Sequence, residues 1–148
     1  MVGYPSHEFW TPESWIPVSK PWKPLDYSSV SPYLLVSRGE EVRGFLRSAF
    51  GAVPLRWIER PDGSLMHGEV RVDDSVIMLG EVEGGGVPTP THIHIYVPDV
   101  DEAFQRALDA GAESVQLPRR QDDPDRRAAV CGPSGHTWWI ATRVEAES

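Results

Sequence analysis

The hydrophobic pattern in the first half of the chain changes from strand-like to helical and back. A short apolar run, Tyr33–Val36, is typical of a strand, and the apolar residues after it recur at helical spacing as far as Phe50. Ser37 with Glu40 predicts a capping box at the start of this helix, and Gly51 suits its C-terminal cap. Three more strands are predicted at 55–59, 65–72 and 75–80. The first half therefore reads as one strand, one helix and three strands.

The second half of the chain repeats this order of elements. It begins after a Gly- and Pro-rich linker, and its helix is predicted to start at the cap Asp99 and to stop at Gly111. Its strands are predicted at 92–97, 115–117, 128–131 and 137–142. Val36 of the first half matches Val97 of the second, and nearly the same offset is kept through both halves. The chain therefore contains two copies of a βαβββ module.

These modules predict an α+β fold with a small-molecule cavity. Each module has one helix for four strands, so the helix covers one face of a mixed sheet and leaves the other face concave and open. We expect the two concave faces to enclose a cavity between them. The predicted segments are an N-terminal arm (1–32), a first module (33–82), a linker (83–90), a second module (91–143) and a tail (144–148).

The N-terminal arm is rich in proline and aromatic residues and has neither a helical nor an alternating period. It carries Trp10, Trp15 and Trp22, and each indole offers a large apolar area. We therefore expect the arm to pack on the body of the protein or on a partner subunit. An unpacked tail is the alternative that the prolines favour.

Composition excludes several classes of partner. The formal net charge of the 148 residues is -8, and no cluster of lysine or arginine is longer than a pair, which argues against binding a phosphate backbone. No apolar run is long enough to span a bilayer, so we expect no membrane partner. Cys131 is the only cysteine, which excludes a disulfide framework and fits a cytoplasmic protein.

Strand alternation divides the polar residues between the two faces of each sheet. In the strand at 65–72, Met66 and Val70 belong to the helix-facing set, and His67, Glu69 and Arg71 lie on the concave face. The other predicted cavity-facing residues are Ser31, Tyr33, Leu35, Val76, Met78, Gly80, His92, His94, Tyr96, Thr137, Trp139 and Ala141, with Trp138 in the core. An antiparallel sheet with one wet face gives the same alternation, so a purely structural role for each histidine stays open.

The segments that carry the repeat resemble the vicinal oxygen chelate superfamily. The similarity covers residues 32–144 and rests on PYLLV at 32–36, FLRSAFGA at 45–52, RPDGSLMHGEV at 60–70, VPDV at 97–100 and GPSGHTWWIAT at 132–142. Within the superfamily the chain looks most like the PhnB-type branch, often labelled glyoxalase or bleomycin-resistance-like. The resemblance implies paired βαβββ modules, often arranged across a homodimer. We expect a homodimer also because so much apolar surface needs cover.

The resemblance also implies where a metal would bind. Metal-dependent members place one ligand on the first and one on the last strand of each module. Carried over by position, these sites are Ser31, Met78, His92 and Trp139. Only His92 suits a divalent metal, so we expect neither the family metal nor another cofactor. The alternative is a displaced set made of His67, Glu69, His92 and His94, which offers two histidines and a carboxylate.

Three functions follow from these residues. The first is metal-independent binding of a planar or amphipathic small molecule in the cavity, with a ligand-binding set of Tyr33, Met78, His94, Tyr96 and Trp139. The second is a metal-independent enzyme, in which His92, His67 or Glu69 acts as general base in a proton-transfer, cyclisation or lyase step. The third is a divalent-metal lyase or dioxygenase that uses the displaced ligands.

Overall fold

The computed structural model describes residues 21–145 and contains two four-stranded mixed sheets. The first module consists of β1 (Tyr33–Val36), α1 (Gly39–Phe50), β2 (Val53–Glu59), β3 (Leu65–Val72) and β4 (Ser75–Glu81). The second consists of β5 (His92–Tyr96), α2 (Val100–Asp109), β6 (Glu113–Arg120), β7 (Asp125–Cys131) and β8 (Thr137–Arg143), with a short 3₁₀ turn, Pro133–Gly135, before β8. The predicted α+β fold with tandem βαβββ modules is confirmed.

The two sheets have the same topology. Their strand orders are β1-β4-β3-β2 and β5-β8-β7-β6. In each module the first strand therefore lies at an edge of the sheet and pairs in parallel with the last strand, which is central. The register places Tyr33, Met78 and Glu69 in one row across the first sheet. His94 and Trp139 begin the matching row of the second sheet, which Ala129 completes.

The hydrophobic core lies between the sheets and joins both modules. Its buried residues come from the helix-facing side of each sheet and from both helices. Trp138 is 1% exposed, and its ring centroid lies 6.3 Å from that of Phe45 and 5.5 Å from that of Phe50. The prediction that Trp138 is a core residue is therefore confirmed. Loss of such a side chain typically costs about 3–5 kcal/mol of stability.

A buried histidine also links the modules. His136 is fully buried, and its Nδ1 accepts a hydrogen bond from the backbone N–H of Thr91 at 3.0 Å. Its Nε2 donates to the carbonyl oxygen of Leu35 in β1 at 2.8 Å. Because both ring nitrogens form hydrogen bonds with backbone groups, His136 has a structural role.

The start of α1 differs from the predicted capping box. The N-cap is Arg38, with extended backbone angles and no side-chain cap. Ser37 instead donates its backbone N–H to Ser134 Oγ of the second module at 2.9 Å, so contact between the modules replaces the local cap. The cap of α2 is as predicted, because Asp99 accepts from the backbone N–H of Glu102 at 3.1 Å.

A bulge corrects the assignment of Met66 to the helix-facing side. β3 pairs His67 with Ile58 and Leu65 with Glu59, so one residue of β3 is skipped between these pairs. As a result, Leu65 is 1% exposed, whereas Met66 is 47% exposed. Leu65 packs against Gly39 of α1 so closely that a Cβ added to Gly39 would lie 2.5 Å from Cδ2 of Leu65.

The two concave faces do not face each other, although the sequence had predicted that they would. Both helices lie between the two sheets, and the core fills that space, so the concave faces lie on the outer sides of the layers. Within residues 31–145 of one chain, these faces therefore do not enclose a cavity together. The helix-facing side chains are more apolar than those of the concave faces. Burying the helix-facing sets against each other therefore stabilises the fold more than burying the concave faces would.

The N-terminal arm is described only in part. Residues 21–30 belong to a unit of their own, in which Lys23 Nζ lies 5.5 Å from the centre of the Trp22 ring. Trp10 and Trp15 lie outside the described residues, and the expectation that the arm packs stays a prediction. No helix within residues 21–145 is long and apolar enough to cross a membrane.

Candidate functional site

The concave face of the first module carries a buried carboxylate beside a histidine. Glu69 in β3 is 3% exposed, and its Oε2 lies 2.8 Å from Nε2 of His67, whose side chain is 23% exposed. A neutral His67 that donates from Nε2 to this carboxylate keeps Nδ1 as its acceptor nitrogen. A histidine oriented by a carboxylate in this way is an arrangement that general bases use.

Tyr33 covers this pair because the neighbouring strand has no side chain at Gly80. The Tyr33 and His67 ring centroids are 5.7 Å apart. A Cβ placed on Gly80 would lie 2.6 Å from Oη of Tyr33, which is closer than real side chains approach. Glycine at this position therefore lets the phenol ring lie across the sheet.

The concave face of the second module pairs an indole with an imidazole. Trp139 donates from Nε1 to Nδ1 of His92 at 3.1 Å, and the two rings are stacked with an interplanar angle of 24°. The hydrogen bond occupies the lone pair of Nδ1, so the proton of neutral His92 is on Nε2. His92 thus lies on this face as predicted, but on a different sheet from His67 and Glu69.

A second group of polar residues lies near the end of β5. Tyr96 donates its hydroxyl to Oδ2 of Asp125 at 2.6 Å, and Arg127 donates to the same oxygen at 3.0 Å. Arg127 also donates from Nε to Nε2 of His94 at 3.2 Å. We call Tyr96, Asp125, Arg127 and His94 the Asp125 cluster. Asp125 is its buried member, at 4% exposure.

These contacts shift the ionisation of both aromatic members. The hydrogen bond to Asp125 raises the pKa of Tyr96 above its usual value near 10. Burial, with the neighbouring Arg127 charge as second cause, lowers the pKa of His94 below its usual value. Both groups therefore favour their neutral forms near neutral pH.

Sequence reasoning missed Asp125 and Arg127. The predicted strand began at residue 128, whereas β7 begins at Asp125. Alternation extended back by three residues would have placed both charged groups on the concave face. The surrounding run of Asp122, Asp123 and Pro124 is instead typical of a solvated loop, which hid the signal.

The family metal positions do not fit a metal in this chain. Trp139 is a donor-only indole, and its N–H occupies a nitrogen of His92, the one suitable ligand. Ser31 and Met78, at the equivalent positions of the first module, do not supply the missing nitrogen or carboxylate ligands. The displaced set is not assembled in one chain either, because His67 and Glu69 lie on the first sheet and His92 and His94 on the second. Among residues 21–145, no group of three His, Cys, Asp or Glu side chains is placed to hold a metal.

A surface cavity of about 540 Å³ lies away from both concave faces, beside the start of α1. Its lining includes Trp57, Leu65 and four glutamates, namely Glu40, Glu41, Glu59 and Glu81. None of the side chains predicted to bind a ligand lines this cavity. We therefore place the candidate site on the concave faces, where chemically distinct side chains meet.

Comparison with known proteins identifies the family. Residues 29–140 match the family model of the Glyoxalase/Bleomycin resistance protein/Dioxygenase superfamily. An uncharacterised protein of Mycobacterium bovis is 38% identical over 127 residues, which cover 78% of this chain and 84% of that protein. The chain therefore belongs to this superfamily. The finer assignment to the PhnB-type branch stays a prediction.

Solved structures support the same fold. TioX from Micromonospora sp. ML1 is 24% identical, with a TM-score of 0.66 over 78% of this chain and 98% of TioX. The fosfomycin resistance protein FosX from Mesorhizobium loti is 16% identical, with a TM-score of 0.59 over 78% of this chain and 91% of FosX. At these identities the likeness concerns the fold alone.

Proposed function

We propose that this protein binds a small aromatic or amphipathic molecule on its concave faces, without the metal of its family. The observation that carries this proposal is the exposure of large apolar side chains there: Tyr33 is 49% exposed, Tyr96 61% and Leu35 44%. Such side chains are expensive to leave in water, and their flat surfaces suit stacking on an aromatic ring. Trp139, held by His92, adds a third aromatic wall.

We further propose that a homodimer completes the site. One chain leaves both concave faces on its outer sides, so neither face alone covers a ligand on two sides. Pairing the first face of one chain with the second face of its partner would give two equivalent clefts per dimer. Each cleft would contain one Glu69–His67 pair and one Asp125 cluster. Light scattering should therefore report twice the mass of one chain, and a monomer would contradict this part of the proposal.

A dye titration tests binding on the concave faces. We expect the fluorescence of 1-anilinonaphthalene-8-sulfonate to rise on addition of the folded protein and to saturate. Trp139→Ala should weaken binding about two- to tenfold, because one stacked aromatic pair contributes roughly 0.5–1.5 kcal/mol. Trp57→Phe is the matched control and should bind like the wild type, because Trp57 packs on the helix-facing side near Gly68. Absence of binding, or equal loss in both variants, contradicts the proposal.

The second candidate function is a metal-independent enzyme, favoured by the 2.8 Å contact between His67 and the buried Glu69. In this alternative, Nδ1 of His67 removes a proton from a bound molecule and Glu69 stabilises the resulting imidazolium. Mass spectrometry of a metabolite pool incubated with the protein separates the two functions. A binder returns every component unchanged, whereas conversion that falls about 10²- to 10⁴-fold in His67→Ala favours the enzyme.

A further inference from the structure

The two histidines of β5 each accept a hydrogen bond from a side chain that can only donate. The indole Nε1 of Trp139 donates to Nδ1 of His92 at 3.1 Å, and the guanidinium Nε of Arg127 donates to Nε2 of His94 at 3.2 Å. Neither an indole nor a guanidinium accepts hydrogen bonds, so the ring nitrogen that each one reaches must offer its lone pair. A neutral His92 therefore carries its proton on Nε2, and a neutral His94 carries its proton on Nδ1.

These two N–H groups are donors without an acceptor in the protein. Within residues 21–145, neither Nε2 of His92 nor Nδ1 of His94 forms a hydrogen bond. Both side chains are exposed, so a molecule bound on this face can reach them. They lie on the same face of an edge strand, two residues and therefore about 7 Å apart along β5. The second concave face thus offers two neighbouring donors to a ligand.

The charged groups at the Tyr96 end of this face have one positive charge in excess. They are Arg119, Arg127 and Arg143 against Asp123 and Asp125. Both carboxylates pair with Arg127, whereas Arg119 forms no ion pair within the described part of the chain. Glu113, which also lies on this face, is two rows away from Arg119, opposite Cys131. A negatively charged acceptor therefore suits this end of the face better than a cation does.

We infer that the second concave face recognises planar aromatic carboxylates, whose oxygens accept hydrogen bonds from Nε2 of His92 and Nδ1 of His94. This inference rests on the proposed function, because it names the ligand class for the same site. Tyr96 and Trp139 supply the stacking surfaces. Trp139 and Arg127 are also positioning residues, since they fix which nitrogen of each histidine donates.

Two naphthalenes of opposite charge test the inference. 2-Naphthoate has two acceptor oxygens, whereas protonated 2-naphthylmethylamine has the same rings and only donors. The titrations are run at about pH 8, where a histidine is neutral. Calorimetry of the full chain should find 2-naphthoate about tenfold or more tighter, because only its oxygens accept from the two imidazoles. The net charge of the chain is -8, so non-specific attraction would favour the amine instead.

Two neighbouring arginines separate recognition from overall charge. Arg119→Gln removes a guanidinium group from the concave face and should weaken binding of 2-naphthoate about two- to fivefold. Arg120→Gln changes the net charge equally, but Arg120 lies on the opposite face, where it pairs with Glu145, so this variant should bind like the wild type. A double variant, His92→Phe with His94→Phe, keeps both aromatic rings and removes both donors. Its preference for 2-naphthoate should fall below about threefold.

Nitrogen-15 spectra of the wild-type imidazoles cover the case in which a variant fails to fold. We expect a protonated Nε2 in His92 and a protonated Nδ1 in His94, and both signals should shift when 2-naphthoate is added. The opposite tautomer, unmoved signals, or equal affinities for the two naphthalenes overturn the inference while binding itself stands. A preference that survives in the folded double variant, or equal losses in Arg119→Gln and Arg120→Gln, also overturns it. If neither compound binds, the proposed function fails and the inference fails with it.

Discussion

The two concave faces share one backbone design but carry different chemistry. In the first module, the central row contains Tyr33, Met78 and the buried Glu69. In the second, the same row contains His94 and Trp139, and Ala129 takes the place of the carboxylate. The buried carboxyl group of the second face lies instead at the end of the sheet, on Asp125.

If the proposed dimer forms, this difference would give a duplicated module two unlike half-sites. The first face concentrates its charge in one pair that suits proton transfer. The second face spreads charge over a network of one tyrosine, two aspartates and one arginine that suits recognition. A cleft built from one face of each kind would combine the two roles, whereas two identical faces would duplicate one.

The largest expected effect concerns the buried carboxylate of the first face. Glu69→Ala removes the partner of His67, and we expect a loss of about 1.5–3 kcal/mol of unfolding free energy, as for hydrogen bonds to charged groups. Urea denaturation measures it. Asp101→Ala removes a carboxylate whose pair with Arg126 is exposed, so it should cost no more than about 1 kcal/mol. Equal costs would contradict a special role for Glu69.

A smaller effect is expected where the faces differ by one methyl group. Gly80 of the first face corresponds to Ala141 of the second, since they pair with Leu35 and Tyr96. Gly80→Ala would push into Tyr33, and we expect a loss of about 1–3 kcal/mol from overpacking. Tyr33→Ala in the same chain should remove most of that loss. A cost that persists without the Tyr33 ring would place the strain in the backbone instead.

The smallest effect is electrostatic and belongs to the second face. Burial first, and Arg127 second, lower the pKa of His94, so the folded state binds fewer protons there than the unfolded state. This contribution to stability is present above the unfolded pKa near 6.5 and is lost as the pH falls through the folded value. Arg127→Gln should raise the pKa of His94 only in part, because burial remains. Nuclear magnetic resonance titration of the imidazole measures it, and an unchanged pKa would exclude Arg127 as a cause.

The sequence predicted most of the fold because hydrophobic period and turn residues agree along the whole chain. Its errors arose where tertiary contacts override local pattern. A bulge in β3 turns Leu65 to the helix-facing side and Met66 to the exposed side. A hydrogen bond from Ser37 to Ser134 replaces the predicted cap of α1. Alternation placed His67 and Glu69 on one face correctly, but it could not show which way the two faces of the chain point.

The polar half of the candidate site was the harder part to predict. Asp125 and Arg127 stand in a charged, Pro-containing stretch whose strand character comes from pairing with β8. The link between Trp139 and His92 is also invisible in sequence, because it depends on the approach of two neighbouring strands. Alternation gives a face to each residue, but only the register shows which residues touch.

Native mass spectrometry of the protein, purified after growth with added iron, zinc, manganese and nickel, tests metal-independent binding by a dimer. We expect the mass of a metal-free dimer. After addition of 1-anilinonaphthalene-8-sulfonate, this mass should increase by the mass of the intact dye. The contradicting result is one metal ion per chain that is lost both in His92→Ala and in Glu69→Ala. Such a result would mean that the two residues bind a metal together, with His92 from one chain and Glu69 from its partner, and that the site is a metal site.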